Sequence, residues 1–167
     1  VVCAYILIAI CIPGCAHTPG REQPLGMVVS TAFSPDGKLI VASTHQGEVA
    51  LFEAQPLWFK RLLSRDSDKV EKIDGYQENI AAAYRPQPVT FSQDGKLVAA
   101  GGVGKNVVVW DVLSGSEKFR VPAHEKILDI VFLPDGETLI TAGPDAKILS
   151  VQNGERVGEF SLPADSK

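Results

Sequence analysis

Phe33-Ser34-Pro35-Asp36-Gly37-Lys38-Leu39 returns in the chain as Phe91-Ser92-Gln93-Asp94-Gly95-Lys96-Leu97, and in looser form as Phe132-Leu133-Pro134-Asp135-Gly136-Glu137. Each copy is followed by a second apolar stretch, ending at Phe52, Trp110 and Val151. The three phenylalanines are spaced 58 and 41 positions apart, and the three stretch ends show the same two spacings. Two independent landmarks with one spacing define a repeat. Its unit is about 41 residues long, and the first copy carries an insertion of about 17 between Phe52 and Val89.

Within a unit the pattern predicts four short strands. The first covers 28–33, 89–91 or 127–132 and stops at an Asp-Gly turn. Proline suits the first corner of such a turn, and Gly37, Gly95 and Gly136 can adopt the positive φ that returns the chain as a hairpin. The second strands, 39–43, 97–100 and 138–142, are nearly continuous apolar runs, which predicts cover on both faces. Third strands fall at 49–52, 107–110 and 148–151. Outer fourth strands fall at 117–121, where Phe119 and Val121 alternate with charge, and at 157–162. The fold class that follows is all-β, built from β-propeller blades of four antiparallel strands. About three blades fit the length, and since rings close with about 4 to 8, the propeller is incomplete.

Here the sequence resembles the WD40-repeat family. Trp110-Asp111 matches the dipeptide that names it, and Ala123-His124 stands where its Gly-His pair usually sits. The family's structural tetrad of His, Ser/Thr, Asp and Trp would map onto His124, Thr141 and Asp145, with Val151 in the tryptophan position. In the first two units Gln46 and Gly104 occupy the aspartate's turn. The resemblance covers residues 28–162 and implies a module that presents rigid loops and strand edges to protein partners.

The segment before the repeats reads differently. Residues 1–12, VVCAYILIAICI, are an unbroken apolar run, too short for the roughly 20 residues of a bilayer span and suited to the h-region of a signal peptide. Ile12-Pro13-Gly14-Cys15 resembles the lipobox of bacterial lipoproteins, which implies a lipid on Cys15, membrane attachment through it and a place in the cell envelope. A plain secretory signal is the other reading, and a cytoplasmic location follows if the segment is no signal. The organisation expected is a signal peptide at 1–15, a linker at 16–27, three blades at 28–88, 89–126 and 127–162, and a tail at 163–167.

Composition narrows the function. Hydrophobic residues make up 45% and charged residues 22%, enough apolar material for a packed core. Twenty acidic residues outnumber sixteen basic ones, so there is no basic footprint for nucleic acid. Cys3, Cys11 and Cys15 are the only cysteines, which removes disulfides, a cysteine-based zinc site and a thiol nucleophile from the repeats. No metal site, cofactor or catalytic residue is expected. His124 reads as a carboxylate-oriented structural histidine and Asp145 as its turn partner. The glycine-rich stretch 101–106 lacks the spacing of a phosphate loop and reads as a turn. The insertion, centred on 60–72 behind Trp58 and Phe59, reads as a long loop with partner binding as its functional option. The expected function is a protein-interaction or scaffold module. The alternative is an accessory or fragment of a larger propeller-containing enzyme whose catalytic residues lie outside these 167 residues. Exposed blade flanks would be covered by further blades or by self-association.

Overall fold

The structure is a computed structural model that describes residues 27–45, 47–64, 87–103, 105–124 and 126–161. These residues form three four-stranded antiparallel sheets, each a meander in which every strand pairs with the next in sequence. The first blade contains β1 (Val28–Phe33), β2 (Leu39–Thr44), β3 (Val49–Ala54) and β4 (Leu57–Ser64). The second contains β5 (Val89–Phe91), β6 (Leu97–Val103), β7 (Asn106–Asp111) and β8 (Glu117–Pro122). The third contains β9 (Asp129–Phe132), β10 (Thr138–Ala142), β11 (Ala146–Ser150) and β12 (Arg156–Phe160). The fold is thus all-β, with three propeller blades too few to close a ring.

The core lies between blades. Successive side chains of a strand point to opposite faces, so one apolar strand can serve two interfaces. In β6, Val98 and Ala100 face the first blade and pack with Val41, Val49 and Leu51, while Ala99 faces the third blade and packs with Leu139 and Leu149. In β7, Val108 and Trp110 join the first cluster, and Val107 and Val109 join the second. All seven of these β6 and β7 side chains are buried, which is why both strands read as unbroken apolar runs. A buried valine or leucine contributes about 1.5–3 kcal/mol. An exposed ion pair such as Lys96–Asp94 contributes about 0–1 kcal/mol, so stacking between blades dominates stability.

The repeated Ser-x-Asp-Gly sequence is a self-contained corner. Ser34 Oγ donates to Asp36 Oδ1 at 2.7 Å and accepts the Leu39 amide at 2.9 Å, while the Lys38 amide donates to Asp36 Oδ1 at 3.0 Å. Ser92, Asp94, Lys96 and Leu97 repeat the set at the same distances. In the third blade Leu133 replaces the serine, and Asp135 accepts instead from the Glu137 and Thr138 amides and the Thr138 hydroxyl. The Ser92 hydroxyl and then the Lys96 amide hold the Asp94 carboxyl below the usual aspartate range, because both donate to its charged form. Gly37, Gly95 and Gly136 each take φ of +71°.

Several details differ from the sequence reading. Residues 60–64 lie in β4, not in a loop, because Phe59, Arg61 and Leu62 pair with Phe52, Leu51 and Ala50 and complete the first blade. The rest of the proposed insertion loop lies outside the described residues, as do the signal segment with Cys3, Cys11 and Cys15 and residues 162–167. The stretch 101–106 is not simply a turn: Gly101 pairs with Val107 and Val103 with Asn106, so β6 and β7 extend through most of it. Ile127 precedes β9 as a buried loop residue, and a Cβ on Gly101 would lie 2.6 Å from its Cγ2. β12 ends at Phe160, and β11 ends before Val151, which is buried in the following turn. In the first and third blades, Leu39, Val41 and Leu139 point at the second blade.

Gly95→Val should destabilise the chain by about 1–2 kcal/mol or more through left-handed backbone strain. Lys96→Ala, at an exposed side chain, should change stability by less than about 0.5 kcal/mol. Urea unfolding of both variants measures the difference, and equal midpoints would contradict the corner's geometry.

Candidate functional site

The third blade contains a buried polar network at the junction with the second. The loop after β8 brings His124 over β10, where its Nε2 lies 3.2 Å from Thr141 Oγ1 and 3.4 Å from Thr141 O. Its Nδ1 lies 3.0 Å from Asp145 Oδ1 in the β10–β11 turn. In the neutral ring, Nδ1–H donates to the carboxylate and Nε2 accepts the threonine hydroxyl proton, so both nitrogens are satisfied. The ring sits directly over Gly143, where a Cβ would approach its Cγ to 2.7 Å. Lys147 extends from β11 and donates to the Ala123 carbonyl beside the histidine. His124, Thr141 and Asp145 therefore converge. Bonded in this way, the three side chains pin a loop to a blade.

Trp110 and Asp111 are adjacent in sequence and separate in role. The indole is 1% exposed and packs in the cluster between the first and second blades. The Asp111 carboxylate accepts the Ser114 amide and hydroxyl, both at 2.7 Å, and these bonds hold its carboxyl below the usual range. It caps the β7–β8 turn. The strand register corrects the position assigned to Val151: Leu149 stands opposite Leu139 as Trp110 stands opposite Val98, and Val151, whose amide donates to the Glu137 carbonyl as that of Val112 does to Lys96, lies buried two residues further on.

Two features escaped the sequence reading. Between the first two blades, Ser43 Oγ donates to the Gln87 carbonyl and Gln87 Nε2 donates to the His45 carbonyl, with Thr44 and Glu48 buried alongside. The other is a pair of glycine notches: a Cβ on Gly115 would collide with Arg61 of the first blade, and one on Gly154 with Phe119 and Val121 of the second. The glycines themselves are the only sequence signal for these contacts. Among the described residues, no group of three His, Cys, Asp or Glu side chains is placed to hold a metal. No helix of the described residues is long and apolar enough to cross a membrane.

Half of the large exposed apolar side chains among the described residues lie on the outer strands or at the β7–β8 turn. Leu113 is 87% exposed at the β7–β8 turn, Leu57 and Trp58 project from β4, and Val157 and Phe160 from β12. The model of the family described as WD domain, G-beta repeat matches residues 88–111 and 115–149. Both matched stretches lie in the second and third blades. Protein HIR1 of Candida albicans is 23% identical over 137 residues, covering 81% of this chain and 15% of that protein. The RRP9 WD40 repeats superpose with a TM-score of 0.65 at 16% identity, covering 84% of this chain and 40% of that structure. Hydrazine synthase of Kuenenia stuttgartiensis superposes with a TM-score of 0.65 at 15% identity, covering 89% and 40%. These two likenesses concern the fold. The chain spans less than a fifth of the HIR1 protein and two fifths of each of the two solved structures.

His124→Ala should lower stability by about 2 kcal/mol, because it empties a packed position and leaves the Thr141 hydroxyl and the Asp145 carboxylate without their partner. Gly143→Ala should be destabilising too, since the ring must move to admit the methyl group. Thermal unfolding of both variants tests this, and melting as in the parent chain would show that the network does not pin the loop.

Proposed function

We propose that this chain is a protein-interaction or scaffold module of WD-type blades, acting by binding and not by catalysis. The observation that carries the reading is the combination of WD-repeat sequence in two blades with apolar side chains held outward at fixed turns and outer strands, Leu113 and Trp58 above all. Stacked blades with buried cores keep such side chains in place at little ordering cost, and exposed aromatic and aliphatic anchors are what protein interfaces use. Its partners on this reading are proteins. The acidic balance of the chain argues against nucleic acid. A photo-crosslinking amino acid at Leu113 or Trp58 should give discrete protein adducts in the native host, and the same probe at Lys105, exposed in the β6–β7 turn at the other end of the blades, should not. Absence of adducts from both sites would refute the reading.

We place the module at the cell envelope, anchored through Cys15. Support comes from the apolar run 1–12 and the Ile-Pro-Gly-Cys sequence that ends it. In a bacterium that processes lipoproteins, a clickable fatty acid should label the chain and Cys15→Ala should abolish the label. Undiminished labelling of the variant would exclude that anchor.

The second reading, an accessory part of a larger propeller-bearing enzyme, rests on the similarity in fold to hydrazine synthase over most of this chain. A catalytic activity that stays with the native protein through purification would favour it.

A further inference from the structure

The turn between β11 and β12 contains Asn153-Gly154, and a following glycine, with no Cβ, leaves an asparagine side chain least hindered from reacting with the next backbone amide. The turn is built on the plan of the β7–β8 turn. Gly154 N–H donates to the Ser150 carbonyl at 2.8 Å and Ser150 N–H to the Glu155 carbonyl at 2.8 Å, as Gly115 N–H donates to the Asp111 carbonyl at 2.8 Å and Asp111 N–H to the Ser116 carbonyl at 3.0 Å. Asn153 therefore stands where the second blade has Ser114. Both residues are exposed, and Ser114 is so in a blade that has a neighbour on either side, so the exposure belongs to the turn itself. The Asn153 amide oxygen accepts the Glu155 N–H at 3.0 Å. Gly154 is buried, with φ of +78°, and a Cβ there would lie 2.6 Å from Phe119 Cδ2 and 2.8 Å from Val121 Cγ1. The backbone of Gly154 thus seats the third blade on the outer strand of the second, in a space that admits no added methylene.

Four dipeptides among the described residues can close a cyclic imide onto a following glycine: Asn153-Gly154 and the three corners Asp36-Gly37, Asp94-Gly95 and Asp135-Gly136. They are not equivalent. An aspartate closes the ring by losing water from its protonated acid, and at the corners the hydroxyls of Ser34, Ser92 and Thr138 lead the hydrogen bonds that hold each carboxyl below the usual range. The acid form is therefore scarce there. An asparagine needs no such protonation, because its leaving group departs from a neutral amide.

We propose that Asn153 is a site of spontaneous modification gated by opening of its turn, where loss of ammonia converts the residue to isoaspartate and unseats the third blade from the second. The Gly154 amide nitrogen gives up its proton and bonds to Asn153 Cγ. The bond from Cγ to the side-chain nitrogen breaks, and ammonia leaves with that proton. Water then opens the imide. Addition at Cγ gives aspartate with the main chain unchanged, whereas addition at the main-chain carbonyl carbon gives isoaspartate, whose main chain runs through Cβ and is one methylene longer. While the turn is closed, Ser150 holds the Gly154 proton and Glu155 holds the Asn153 amide, so the reaction proceeds from the opened turn. Within its sheet β12 pairs with β11 alone, so release of a single strand opens it. The lengthened chain cannot keep both the bond to Ser150 and the place against Phe119 and Val121.

The full chain, incubated in mildly alkaline buffer made with heavy-oxygen water, should take up the label and form isoaspartate at position 153 ahead of the three corners, as read by peptide mass and electron-transfer fragmentation. Unfolding the chain in urea should speed the reaction about 10-fold or more. The isoaspartate form, separated by ion exchange, should melt several degrees below the parent. Asn153→Asp keeps the main chain and an acceptor for Glu155, and should melt with the parent. Asn153→Ser, the residue of the second blade, should abolish the reaction and keep the fold. No label at position 153 after prolonged incubation, or incorporation at the corners as fast as at Asn153, would overturn the proposal. So would equal rates in the folded and unfolded chain, an isoaspartate form as stable as the parent, or an Asn153→Asp variant as destabilised as the isoaspartate form.

Discussion

Face-to-face burial of one blade against the next is the constraint on which the rest of this structure depends. A four-stranded meander has two faces and no interior of its own, so its apolar residues are hidden only when another sheet lies over them. The second blade shows the complete condition, with Val98, Ala100, Val108 and Trp110 covered on one side and Ala99, Val107 and Val109 on the other. The first and third blades each meet it on one side. Opposite faces of a single strand thus belong to different cores, and a change at one position in β6 is felt at one interface and not the other.

The loops serve this stacking. At one end of the blades the serine–aspartate corners close on themselves through short hydrogen bonds, which fixes the hairpin register before any neighbour is present. Register matters because a slip by one residue would turn every core side chain to the wrong interface. At the other end the connections reach across blades: Gln87 is held by Ser43 and His45 at the first junction, and His124 by Thr141 and Asp145 at the second. The two junctions use different residues for the same task, tying the chain that enters a blade to the strand beside it.

Much of the site was legible because the repeat supplied internal comparisons. His124, Thr141 and Asp145 could be aligned by position, and they converge within hydrogen-bonding distance. Trp110 and Asp111 were legible as landmarks, yet their separate roles, an indole in the core and a carboxylate capping a turn, follow from strand alternation at the end of β7. Lys147 and Gln87 gave no signal, since a lysine or glutamine bonded to a backbone carbonyl needs no particular partner side chain. The glycine notches at Gly115 and Gly154 were equally silent: a missing Cβ records that something approaches, not what approaches.

The sequence by itself determined the repeat length, the all-β class, the four-strand unit and the Asp-Gly corners, because these depend on contacts within about 20 residues and leave a periodic trace in side-chain type. Only the tertiary structure decided which side chains of each apolar run face which blade, that residues 60–64 complete the first sheet, and that Phe33 remains exposed while its repeat equivalents Phe91 and Phe132 are buried. Those facts depend on what lies across an interface. The same phenylalanine in the same local sequence is core or surface according to whether a neighbouring blade covers it, and no local pattern carries that information.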